Sequence, residues 1–223
     1  MLRERSLRAV AVWDAPIRIF HWGIVVLIPT MWGTAELGEM EWHRRAGYLL
    51  LASLIFRLIW GLLGSSTARF RNFIRGPRVV WEYARQSLRA TPPEAPIGHN
   101  PLGAWSVAAM LVLLGVQVGL GLISTDIDGL ESGPLATYVD FDTGRAAAEW
   151  HEWLFNIVLA LIALHIAAIL YYAVGRRQNL ITPMITGVLR TERVVEPMTP
   201  AGRTRLLFAL VIAATAAALV ATR

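Results

Sequence analysis

Five blocks of roughly twenty mostly apolar residues, at about 16–35, 43–63, 102–124, 150–174 and 205–222, govern what this chain can fold into. Each is long enough to cross a bilayer as a helix, since about 20 residues rising 1.5 Å apiece span the ~30 Å hydrocarbon layer. A 55% hydrophobic share in 223 residues is too apolar for an ordinary soluble domain and fits an all-α integral membrane protein. Cysteine is absent, which excludes disulfides, thiolate metal sites, iron–sulfur clusters and thioether-linked haem. The formal charge of +5 comes from arginine alone. In a membrane chain such a surplus reports topology, and no nucleic-acid partner is expected.

The joining segments sort by charge. Residues 64–101 carry Arg69, Arg71, Arg75, Arg78, Arg85 and Arg89 against Glu82 and Glu94, and the N-terminus and residues 175–205 are also arginine-rich. Residues 36–42 hold Glu36, Glu39 and Glu41, while 125–149 hold Asp126, Asp128, Glu131, Asp140, Asp142 and Glu149 against Arg145. Positive segments stay cytoplasmic, so the N-terminus is expected inside, with the five spans alternating across the membrane. Trp32, Trp42, Trp150 and Trp153 fall at outer span ends, and Trp13, Trp60 and Trp105 at inner ends, where interfacial belts are expected. Asn100-Pro101 reads as a helix start and residues 91–98 as a proline-rich linker. The N-terminus has no short apolar core with a cleavage site, so no removable signal is expected.

Histidines provide the chemistry. His151 and His165 are fourteen positions apart in the fourth span, a separation of about 21 Å along a helix with both rings within ~40° of one face. His43 begins the second span at its outer end, and His21 lies one to two turns into the first from the cytoplasm. Matching depths pairs His43 with His151 and His21 with His165; the crossed pairing would need rings from opposite halves of the membrane to meet. Two imidazoles facing each other between helices, with no cysteine available, point to haem iron held on both axial faces. Such a site has no open coordination position, which favours electron transfer over oxygen chemistry. The bland reading is a membrane histidine that only hydrogen-bonds a neighbouring helix.

Arg57 lies fourteen residues after His43, on that helix face and near the depth of the inner site. An arginine so deep needs an anionic partner, and a haem propionate suits it. Arg18, one turn before His21, and Arg44 and Arg45, flanking the outer site, admit the same role or that of snorkelling side chains. His99, at the cytoplasmic mouth of the third span, is either a donor to an inner propionate or quinone, or an interfacial residue. Gln117 and Asn156 read as interhelical hydrogen-bond formers. The acidic 125–149 loop is either a solvated surface or a docking face for a basic redox partner.

VWDAPIRIFHW at 12–22, WHRRAGY at 42–48, FRLIWGLLGSSTARF at 56–70, GHNPLGA at 98–104, WHEWLFNIVLALIALHIAAILYY at 150–172 and NLITPMITG at 179–187 together resemble the bacterial cytochrome b561 family. That family includes the b-type cytochrome subunits of nickel–iron hydrogenases. The resemblance implies a four-helix transmembrane bundle holding two non-covalent b haems on His21, His43, His151 and His165. It also implies electron transfer between a redox partner and the quinone pool. The partner expected is a periplasmic hydrogenase, c-type cytochrome or other dehydrogenase, and oligomers are possible.

This reading divides the chain into a dihaem domain at 1–190 and, at 191–223, a linker with a fifth span outside the family pattern. RLLFALVIAATAAALVA in that span is a small-residue packing helix or anchor. The sequence offers no nucleotide fingerprint or substrate pocket, so the expectation is an electron-transfer subunit of a respiratory oxidoreductase rather than a free-standing dehydrogenase. The rivals are a histidine-dependent metal or proton transporter, which would place acids beside the buried histidines, and a passive membrane anchor.

Overall fold

The computed structural model describes residues 7–87, 98–128 and 131–223, so the proline-rich linker, apart from Gly98, lies outside the described residues. Five helices are long and apolar enough to cross a membrane: α1 (Ala15–Glu36), α2 (Met40–Leu63), α5 (Pro101–Ile123), α6 (Phe141–Gly175) and α8 (Arg203–Ala221). Short helices α3 (Phe70–Phe73), α4 (Pro77–Ser87) and α7 (Ile181–Thr186) and two strands, β1 (Arg8–Ala11) and β2 (Val188–Thr191), complete the chain. The protein is an all-α membrane bundle with a small two-stranded clip.

Local chemistry sets the helix ends. Asp14 caps α1 by accepting from Ile17 N at 2.9 Å, with Pro16 in the first turn. Asn100 caps α5 from Gly103 N at 2.8 Å, with Pro101 opening the helix as the sequence predicts. The α1–α2 turn runs through Gly38 at φ 73, a left-handed conformation that costs glycine nothing. The fourth span starts nine residues before its expected position, because Asp140 accepts from Thr143 N at 2.9 Å and nucleates a helix across FDTGRAAAE. Its 35 residues make about 52 Å, well beyond the hydrocarbon layer. The bond from Thr143 N and a second, donated by the Thr143 hydroxyl, hold the Asp140 carboxyl below the usual carboxylate range.

Packing runs in pairs. α1 lies along α2 and α5 along α6, while α6 makes few backbone contacts with α1 or α2. Ile28, Leu50, Leu54, Leu114, Val118 and Val158 form the mid-bundle core. A second core joins Val12, Trp13, Ile17, Phe56, Trp60 and Ala68 to Ala209 and Ala213 of α8. Ala209, Ala213 and Ala217 are 0%, 3% and 7% exposed. Spaced four apart, they lay one small-residue stripe against α2, the packing role expected of the fifth span.

The clip ties the chain's two ends together. β1 pairs antiparallel with β2, Arg8 opposite Thr191 and Ala11 opposite Val188. Gly187, at φ 83, ends α7, and its carbonyl accepts from Val12 N and Trp13 N. A Cβ there would stand 2.7 Å from the Trp13 carbonyl oxygen, so only glycine allows this approach. Trp22 donates from Nε1 to Met184 O at 3.1 Å on the same side.

Two expectations need correction. Trp13 and Trp60 are core residues, 8% and 2% exposed, rather than belt residues; Trp32, Trp42, Trp105, Trp150 and Trp153 remain exposed. Asn156 donates to Glu152 O one turn back on its own helix at 3.2 Å, so it links no second helix.

Candidate functional site

The four histidines meet in two pairs. His21 of α1 faces His165 of α6 with ring centroids 6.4 Å apart, and His43 of α2 faces His151 of α6 at 6.1 Å. The depth matching read from the sequence is the pairing the fold adopts. Two imidazoles on opposite sides of one metal, with bonds of about 2 Å and centroids about 1 Å behind each nitrogen, stand roughly 6 Å apart. A direct hydrogen bond between the rings would bring them nearer, to about 5 Å. Both observed separations lie near the first figure and beyond the second.

The His43/His151 pair also shows which nitrogens are free. His43 Nδ1 lies 2.8 Å from Met31 O, and His151 Nδ1 lies 2.8 Å from Gln117 O. A carbonyl can only accept, so each Nδ1 carries the proton and each Nε2 keeps its lone pair. These are interhelical bonds, as a plain structural role would have it, yet they leave each Nε2 unused. His21 Nδ1 is buried with no partner.

Space accompanies the rings. Gly47, one turn past His43, is half-buried, yet a Cβ there would meet nothing within 4 Å. A half-buried position facing open space lines a crevice. With α6 standing off from α1 and α2, the residues fit a flat macrocycle gripped between helices. Among the described residues no group of three His, Cys, Asp or Glu could hold a metal ion. Paired axial donors need a ring to supply the other ligands; a metal-transport site built from protein ligands alone has no such set here.

The cationic residues divide. Arg57 is 3% exposed; it donates to Ala68 O at 3.3 Å and lies over the Phe70 ring at 4.6 Å. Asp14 is near enough to act on it electrostatically, an anionic neighbour the sequence reading missed. His99 packs between Trp13 and Phe73, at 4.7 and 4.5 Å between centroids, with Nδ1 buried and unpartnered. Burial, with Arg57 and His165 close by, pushes its pKa down to about 3, so the ring is neutral. Arg18 donates to Ile185 O, tying α1 to α7, and its Nε is buried without a partner. Arg44 is ion-paired with Glu131, and Arg45 with Glu41, beside His43.

Other residues of the site carried weaker signals. Arg69, between the Ala68 and Phe70 that Arg57 touches, has a buried Nε with no partner. Its place in the arginine-rich run hid it. Gln117 was expected to bridge helices, and its Nε2 does donate to His151 O at 2.9 Å. The consequence of that bond for His151 was not legible. Gly121 was overlooked: a Cβ there would meet His151 Cε1 at 2.9 Å.

With this geometry in place, the family profile described as "Prokaryotic cytochrome b561" matches residues 12–187 of the chain. The chain belongs to that family. As a cytochrome b561 it is a membrane electron-transfer protein holding haem b. It is similar to the "Probable Ni/Fe-hydrogenase B-type cytochrome subunit" of Azotobacter chroococcum, 26% identical over 216 residues, which cover 83% of this chain and 90% of the relative. The Azotobacter vinelandii protein of the same description matches at the same identity and coverage. The Escherichia coli "Probable Ni/Fe-hydrogenase 1 B-type cytochrome subunit" is 23% identical over 183 residues, covering 68% of this chain and 78% of the relative. No solved structure matches the chain. The profile ends at Gly187, so β2 and α8 of this cytochrome b561 lie beyond it.

Proposed function

We propose that this cytochrome b561 holds two b haems, one between His21 and His165 and one between His43 and His151. We further propose that it carries electrons through the bacterial inner membrane between a periplasmic redox partner and the quinone pool. The relatives' descriptions make a nickel–iron hydrogenase the first partner to test. One observation carries the reading: two imidazole pairs about 6 Å apart, both ending on α6 and separated by fourteen residues of it.

Haem iron supplies reversible one-electron transfer. The chain's own residues do the rest. The four histidines would hold the iron, and two of them are held in one tautomer by the Met31 and Gln117 carbonyls. Arg57 and His99 offer donors for propionates at the His21/His165 site, whereas Arg44 is engaged with Glu131 and Arg18 with Ile185. α6 bridges the two sites with one continuous helix, so they keep a fixed spacing of about 21 Å between ligand positions. The arginine-rich segments support an orientation with the N-terminus and the His21/His165 site toward the cytoplasm.

The test is haem quantification and the reduced-minus-oxidised spectrum of the full chain from a haem-competent host. Two haems per chain are expected. Alanine at position 21 or 165 should remove one spectral component, and alanine at 43 or 151 the other. A preparation with a single haem, or alanine variants that fall into the crossed pairs, overturns the assignment. Oxidation of the reduced protein by a short-chain quinone tests the acceptor.

A further inference from the structure

The two histidine pairs differ in what stands behind them. At one site both rings donate from Nδ1 to main-chain carbonyls, His43 to Met31 and His151 to Gln117, each at 2.8 Å. At the other, His21 Nδ1 is buried without a partner, and His165 makes no hydrogen bond among the described residues. An imidazole that gives its second N–H to a carbonyl is a more basic ligand and favours the higher oxidation state of the metal it holds.

Gln117 makes one of those bonds possible in an unusual way. It is a helix-interior residue, 7% exposed, and its side-chain amide donates to the His151 main-chain carbonyl at 2.9 Å. Its own carbonyl receives the His151 ring. Side chain and main chain thus clasp one residue from two directions and lock α5 to α6 at that level. The residue one turn on is Gly121, where a Cβ would crowd His151 Cε1 at 2.9 Å and Nδ1 at 3.2 Å. The ring reaches the Gln117 carbonyl because position 121 has no side chain.

Charge acts in the same direction. Near His21 and His165, Arg57 is buried and in no ion pair among the described residues, with Asp14 as its acidic neighbour. At the other end Arg44 is matched by Glu131, Arg45 by Glu41 and Arg145 by Glu149. A buried cation favours an added electron nearby even with Asp14 offsetting part of its field, whereas the matched pairs at the other end add little.

We propose that Gln117 is a positioning residue that makes the His43/His151 site the lower-potential of the two, so that electrons entering there run downhill toward the His21/His165 site. The proposal rests on the two-haem reading above. It is tested by redox titration of the visible spectrum of the purified full-length protein, with each component assigned by its loss in His165→Ala or His43→Ala. In the wild type, the component lost with His165→Ala titrates at the higher potential. In Gln117→Leu, which keeps the volume and the main-chain carbonyl but loses the side-chain half of the clasp, the lower midpoint shifts upward and the higher one stays in place.

Equal midpoints, a reversed order, or a Gln117→Leu protein with both midpoints unmoved overturns the proposal. If Gln117→Leu loses the His43/His151 component altogether, the wild-type order alone decides. A preparation with two haems in the reversed order sinks this inference and spares the dihaem reading, whereas a haem-free preparation sinks both.

Discussion

The carboxylate of Asp14 accepts the indole N–H of Trp60 at 2.9 Å, joining the start of the first membrane helix to the end of the second across 46 positions of sequence. Its other oxygen caps α1 through Ile17 N. One side chain thus sets where α1 begins and how it meets α2, just below the His21/His165 site. Asp14→Ala removes a cap, a loss of about 1 kcal/mol, and strands the N–H of an indole that is 2% exposed, a further ~1–3 kcal/mol. Thermal release of haem from the detergent-solubilised protein should therefore occur at a clearly lower temperature. Asp14→Asn, which keeps one acceptor oxygen for two donors, should recover only part of the loss. An alanine variant as stable as the wild type would show that the pair carries no weight.

The fifth membrane helix invites a test by bulk. Ala213 is 3% exposed where α8 meets α2, and Leu210, on the same helix, is 47% exposed. Ala213→Leu forces side-chain atoms into a filled contact, at a cost of about 1–3 kcal/mol. Leu210→Ala leaves that contact alone. Detergent melting should separate the two variants. Both should keep the full haem content, because none of the four histidines lies on α8.

Much of this architecture was legible because its causes are local. Apolar length located the five spans, and the Asn100-Pro101 cap fixed the start of α5. Helical rise alone matched His21 with His165 and His43 with His151, since a rigid rod converts sequence distance into depth. What escaped depends on partners far away in sequence. β1 pairs with a strand some 180 positions later, and four-residue strands carry no pattern that names a mate. Trp13 and Trp60 sit at span ends, so they read as belt residues until Asp14, Ala68 and α8 close over them. α4 did leave a signal that went unused: Pro77 opens PRVVWEYARQS, whose Val80, Tyr83 and Ala84 share one face opposite Arg78 and Glu82.

Arg57 separates a structural from a cofactor role. It is held by the Ala68 carbonyl and the Phe70 ring, and both would lose a partner in Arg57→Leu. If it also binds a propionate, a charge-assisted bond of about 1.5–3 kcal/mol is lost as well, which weakens haem retention at that site roughly 10- to 100-fold. The component missing in His165→Ala should then titrate with added haem at a higher concentration, while the other component stays unchanged. Equal weakening of both components would assign Arg57 to general packing.

Gly121 allows the sharpest steric test. A Cβ there would lie 2.9 Å from His151 Cε1 and 3.2 Å from Nδ1, closer than side-chain atoms tolerate, and the ring cannot swing aside without leaving the Gln117 carbonyl. Valine adds two methyl groups to that clash. Gly121→Val should lose the spectral component that His43→Ala loses and retain the one that His165→Ala loses. The same helix supplies its own control. A Cβ at Gly119 meets nothing within 4 Å, so Gly119→Ala should leave both components intact and, by removing a helix-interior glycine, stabilise α5 by up to about 1 kcal/mol. Spectra of the two variants, normalised to protein, distinguish local crowding of His151 from any general effect of altering glycines in this helix. If Gly121→Val keeps both components at wild-type intensity, His151 does not occupy the place assigned to it beside α5.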